Sequence, residues 1–125
     1  IEKMAALNGS ASVWRVDQVP QRIQELRTML YSNHSSPAII LVHCTAGCDR
    51  TGEVIGAYRL EFETRNLTQL YQEDCTECGR CPNYWSTSAL EWYCETYTLL
   101  NQPVGNCTDF ATCKFAGHCT PTGHA

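Results

Sequence analysis

Residues 38–52 read Ala-Ile-Ile-Leu-Val-His-Cys-Thr-Ala-Gly-Cys-Asp-Arg-Thr-Gly (AIILVHCTAGCDRTG). The uninterrupted apolar run Ala38 to Val42, with two adjacent isoleucines, predicts a central strand covered on both faces. Cys44 then opens a loop. Val54, Ile55, Tyr58 and Phe62 recur at spacings of three and four, which predicts a helix from Thr51 to about Arg65. In a strand–loop–helix unit of this kind, the backbone N–H groups of Thr45 to Arg50 turn toward one point, and the helix aims its positive end there. Such a nest favours an anion, and a thiol at its mouth loses its proton more readily than usual.

Working outward, Ser10 to Val16 (SASVWRV) reads as a short strand and Asp17 to Pro20 as a loop. Pro20 suits the first turn of a helix that runs from Gln21 to about Tyr31, with Ile23, Leu26 and Leu30 as its apolar stripe. Asn66 is placed to cap a third helix whose buried side carries Leu67, Leu70 and Tyr71. A fourth begins at Ser86 or Ser88 and carries Leu90, Tyr93, Cys94, Tyr97 and Leu100. The order predicts an α/β fold: a central, mostly parallel sheet flanked by helices. Two strands make a poor sheet, so further strands belong upstream of Ile1, either missing from this chain or supplied by another. The chain opens without an initiator methionine or a visible signal peptide, and is expected to be processed or truncated.

Chemistry concentrates in the loop. Cys44 is the expected nucleophile, and Arg50 offers a two-pronged hydrogen bond to phosphate oxygens. Thr51 places a hydroxyl near the thiolate, His43 orients the loop, and Gly47 permits the turn. Nucleophile, anion nest and arginine together suit phosphoryl transfer through a cysteinyl-phosphate. His43, Cys44, Arg50, Thr51 and Gly52 match the His-Cys-five residues-Arg-Thr/Ser signature, and the chain resembles the cysteine-dependent protein tyrosine phosphatase superfamily, dual-specificity-like. The resemblance implies that Cys44 attacks phosphorus and Arg50 binds the phosphoryl group. It also implies that Thr51 helps expel phosphate and that no cofactor is needed. It calls for an upstream general acid, for which Asp17, 27 residues before Cys44, is the candidate, although the family's Trp-Pro before the aspartate is replaced by Arg15-Val16. Residues 1–101 would be the C-terminal portion of such a domain, and 102–125 a cysteine-rich tail.

Asp49 on the loop rim, preceded by Cys48, is similar to the lipid-active and bacterial secreted branches, where lysine often fills the position before the aspartate. A phosphotyrosine protein or small phosphomonoester is therefore the expected partner, with a phosphoinositide as the alternative. A catalytically silent structural or binding module in an extracellular assembly is the rival reading. Sulfur transfer through a persulfide fits less well, because it leaves Arg50-Thr51-Gly52 without a role.

The composition narrows the setting. A net charge of -4, from 13 acidic and 9 basic residues, gives no pull toward nucleic acid, and the longest apolar run is too short to span a bilayer. Nine cysteines in 125 residues point to a disulfide framework. Four of the six asparagines, Asn8, Asn33, Asn66 and Asn106, stand in Asn-X-Ser/Thr sequons. Together these features predict a secreted, extracellular or luminal protein. The bridging candidates are Cys48, Cys75, Cys78, Cys81, Cys94, Cys107, Cys113 and Cys119. Zinc on Cys75, Cys78, Cys81 and His118 or His124 is the weaker alternative, and an iron–sulfur cluster weaker still. Parity favours a free Cys44 with Cys48 bridged outward; a Cys44–Cys48 link would instead block the nucleophile.

Overall fold

The structure, a computed structural model, describes residues 18–107. Four helices follow one another: α1 (Val19–Tyr31), α2 (Arg50–Phe62), α3 (Leu67–Cys78) and α4 (Tyr84–Leu99). Pro20 sits in the first turn of α1, where its missing N–H has no partner to lose. Ile23 and Leu26 of the expected stripe are buried, whereas Leu30 is exposed, so the contact face of α1 is narrower than its pattern suggests. Asn66 caps α3 as expected, its side-chain oxygen accepting from the N–H of Thr68 at 2.8 Å. Helix α4 starts earlier than either serine: Asn83 caps it by accepting from the N–H of Ser86 at 3.0 Å.

Among the described residues there is no strand, and the expected sheet is not formed. Residues 38–42 adopt no regular secondary structure, with Ile39 97% and Leu41 79% exposed. A strand needs a second backbone about 4.8 Å away to take its N–H and C=O groups, and no described segment lies alongside. The α/β expectation therefore gives way to a helical bundle. The expected strand at residues 10–16 lies outside the described residues, as do Asn8, Asp17, Cys113, Cys119, His118 and His124.

Helix α2 lies at the centre and packs against α1, α3 and α4. Leu60 and Ala57 of α2 meet Ile23 of α1, Leu67 and Leu70 of α3, and Leu90, Tyr93 and Cys94 of α4. Ile23, Leu60, Leu67 and Leu70 are fully buried, and each contributes about 1.5–3 kcal/mol by leaving water. Gly56 lets α4 come close, since a Cβ there would fall 2.7 Å from Leu90 Cδ2. Polar groups tie the same helices: the Glu61 carboxylate accepts from Gln24 Nε2 of α1 and from the Tyr93 hydroxyl of α4. Arg27 of α1 donates to the Tyr58 hydroxyl at 3.1 Å and lies over the rings of Tyr31 and Phe62.

The segment after α4 turns back into the bundle. The N–H of Gly105 donates to Leu60 O and the N–H of Leu67 to Asn106 O, both at 3.0 Å. Gly105 passes so close to Arg65 that a Cβ would fall 1.7 Å from its carbonyl oxygen, so only glycine fits. Cys107 then reaches the core and bridges to Cys94. The first residues after the fourth helix are thus held by backbone bonds as well as by a disulfide.

Candidate functional site

The loop between residues 38–42 and α2 gathers donors around one sulfur. Cys44 is the free cysteine among the described residues and is half-buried. Its thiol is lowered from 9.0 to about 6, first by the hydroxyl of Thr51, then by the Thr51 N–H, with the N–H groups of Gly47 and Ala46 adding to the effect against the opposing cost of burial. The Thr51 hydroxyl is itself buried and makes no hydrogen bond of ordinary geometry, and its influence on the Cys44 thiol is the largest at the site. These donors come from the first turn of α2 and from the loop. Gly47, with φ of 76°, supplies the left-handed turn that presents its N–H inward.

A second set of contacts fastens the loop to the far side of the bundle. Cys48 is buried and bridged to Cys78 at the end of α3. Asp49 accepts both arms of Arg80, at 3.0 and 2.7 Å, and the N–H of Asn83 at 2.7 Å. The Arg80 hydrogen bond, followed by that of Asn83, holds the Asp49 carboxyl down at about 2. Cys75 and Cys81 close a further bridge across the same corner, aided by Gly79, whose φ of 75° turns the chain back after α3. All three cysteines of CTECGRC are therefore in disulfides, which leaves no thiolate there for zinc.

Asp74 packs against the start of α2, where a Cβ on Gly52 would meet its Oδ2 at 2.9 Å. Burial, then the nearby Glu77 charge, pushes its carboxyl up to about 6, with Arg59 pulling the other way. An acid raised on folding adds nothing where both states are protonated, and it weakens the fold as pH climbs from about 4 through about 6. Asp74→Asn is therefore expected to stabilise the protein at pH 7.5 by about 1 kcal/mol, allowing for its partial exposure, and to leave it unchanged at pH 4. Urea unfolding at the two pH values measures both; equal effects at the two would remove Asp74 as the cause.

The structure places the remaining sequence candidates as follows. Arg50 is the exposed first residue of α2, and its described interaction is electrostatic, with Asp49. His43 and Thr45 are exposed, as are Ala46 and Gly47. Asn33 is exposed, Asn66 caps α3, and Asn106 lends its carbonyl to Leu67. Sequence reasoning missed Arg80, Asn83 and Asp74. Arg80 carried a usable signal, being the one cation inside the cysteine-rich CTECGRC segment. Asn83 and Asp74 carried none, because their roles depend on which helices meet.

These contacts overturn the hydrolytic expectation. A cysteinyl-phosphate centre needs its loop mounted on a sheet, with the N–H groups open toward a bound phosphoryl group. Here the preceding segment is unpaired, the donors converge on the Cys44 sulfur itself, and the rim carboxylate is taken by Arg80. Hydrolysis of phosphotyrosine, small phosphomonoesters or phosphoinositides is therefore set aside. With it goes the enzymatic reading, the phosphorylated partner, and the second chain expected to complete a sheet. The compact dual-specificity-like subtype falls too, since its fold is built on that sheet. Among the described residues no helix is long and apolar enough to cross a membrane, and among them no group of His, Cys, Asp and Glu is placed to hold a metal ion. No curated protein and no solved structure matches the chain. The family model for protein-tyrosine phosphatase matches residues 9–102. On that match the chain belongs to the protein-tyrosine phosphatase family, in which its described residues form a disulfide-stabilised bundle of helices.

Proposed function

We propose that the protein is an extracellular binding module, in which the signature loop serves as a structural joint. The observation that carries this reading is the double fastening of the loop. Cys48 is covalently tied to α3, and Asp49 is held by Arg80 and Asn83 just ahead of α4. A loop joined on both sides is held in one arrangement where α2, α3 and the start of α4 meet, as a structural joint requires. Three disulfides among the described residues support an oxidising compartment, and the four sequons agree with secretion.

Large apolar groups are exposed on both sides of the joint. Ile39 and Leu41 lead into the loop, and Tyr84 and Trp85 follow directly on Asn83, at 66% and 79% exposure. Exposed aromatic and aliphatic groups at a rigid joint suit the surface of another protein. The test is to secrete the chain and assay it against an aryl phosphate, beside Cys44→Ser. The reading expects no turnover above buffer in either protein. Turnover that disappears in Cys44→Ser would restore the hydrolytic reading and end this one.

A further inference from the structure

We propose that Asn33 is the N-glycan attachment site of the described region; the inference rests on the extracellular reading above. N-linked transfer requires an open side-chain amide and a chain free to bend so that the hydroxyl two residues on can approach it. Asn33, His34 and Ser35 are all exposed and belong to no helix. The chain leaves α1 at Ser32 in an extended conformation, with φ of −70° and ψ of 148°, which carries Asn33 away from the helix.

The sequon at Asn66, the other one that lies wholly within the described residues, is built into the fold. At Asn66 the side-chain oxygen accepts from the N–H of Thr68, the third residue of its own sequon. The Thr68 hydroxyl is buried and unpartnered, and the intervening Leu67 is 1% exposed. Once α3 forms, this sequon is locked as a helix start. At Asn106, which is exposed, the middle residue Cys107 is buried and bridged to Cys94, and Thr108 lies outside the described residues. The Asn66 sequon closes through contacts made as α3 forms, whereas at the Asn33 sequon the His34 ring meets the Met29 carbonyl at 2.7 Å and the Asn33 and Ser35 side chains stay exposed.

A glycan at Asn33 also has a physical consequence. Asn33 precedes the apolar run in which Ile39 and Leu41 stand almost bare. A bulky hydrophilic group there would keep that run from self-association, which the exposed apolar segment otherwise invites.

The experiment is to secrete the chain from glycosylating cells behind a secretion leader and treat it with the amidase that converts a glycosylated asparagine to aspartate. Peptide mapping is expected to find aspartate at position 33 and asparagine at 66. Asn33→Gln and, separately, Ser35→Ala are each expected to lose one glycan step by gel mobility; both positions are exposed, so folding is retained. An unmodified Asn33 peptide in the secreted protein, or occupancy at Asn66, overturns the proposal. A disulfide map of the same sample tests the extracellular reading separately. Absence of the Cys48–Cys78, Cys75–Cys81 and Cys94–Cys107 bridges would remove that reading and leave the Asn33 result to stand on its own.

Discussion

Alkylation of Cys44 by a neutral reagent such as iodoacetamide is expected to rise with pH through a midpoint near 6 and to level off above neutrality. The thiolate is the reactive form, so the rate follows its fraction. An ordinary cysteine, at 9.0, is almost wholly protonated in the same range. The largest contribution comes from the Thr51 hydroxyl, so Thr51→Val is expected to move the midpoint upward and to slow labelling at pH 6.5 by about tenfold. Thr51→Ser keeps the donor and is expected to retain the wild-type profile. A wild-type midpoint near 9, or a valine variant that labels as fast as wild type, would show that the donors do not converge on the sulfur. Quenched labelling read by mass spectrometry measures the profile directly, because the other cysteines within residues 18–107 are bridged.

Removing the covalent fastening is expected to cost the most stability. The Cys48–Cys78 bridge closes a separation of 30 residues, and loop-closure entropy assigns such a bridge about 3–4 kcal/mol. Against the ~5–15 kcal/mol typical of a small domain, that is a large share. Both cysteines should be replaced together, Cys48→Ala with Cys78→Ala, so that neither is left free to pair with Cys44. Urea unfolding is expected to show a lower midpoint with an unchanged slope. The Cys44 labelling midpoint should move up in the same variant, because Ala46 and Gly47 lose the anchor that aims their N–H groups. Arg80→Ala removes only a half-exposed, solvent-screened pair and is expected to lower the urea midpoint far less than the double cysteine variant. The Asp49 contribution is present above its ordinary carboxyl range and is lost as pH falls toward about 2, so the difference between Arg80→Ala and wild type should vanish in acid. If the double cysteine variant unfolds at the wild-type midpoint, the loop is not a joint.

The helices were legible because their signals are local. The stripe of α1, the Asn66 cap and the spacing of Val54, Ile55, Tyr58 and Phe62 each lie within a few turns of chain. The strand at 38–42 was misread for the opposite reason. An apolar run states only that a segment suits burial, while a strand requires a partner that the run does not name. The start of α4 was misplaced because two serines compete as caps with Asn83, and only the folded chain shows which oxygen reaches an N–H. At the site, the bridge from Cys48 to an outer cysteine followed from parity, and the structure supplies Cys78 as that partner. The Asp49–Arg80 pair was out of reach, since it joins residues whose proximity depends on α2, α3 and the turn at Gly79.

The bridges at 75–81 and 48–78 interleave, with Cys78 lying inside the span that Cys75 and Cys81 close. That arrangement sets a kinetic problem for a newly made chain. Neighbouring thiols pair fastest, so Cys78 with Cys75 or Cys81 is the quickest product, and it strands Cys48 four positions from the thiol of Cys44. The native pairing therefore depends on α3 and its glycine turn forming before oxidation is complete. Whether Cys44 reaches the mature protein as a thiol is then settled by the timing of helix formation against disulfide exchange during biogenesis.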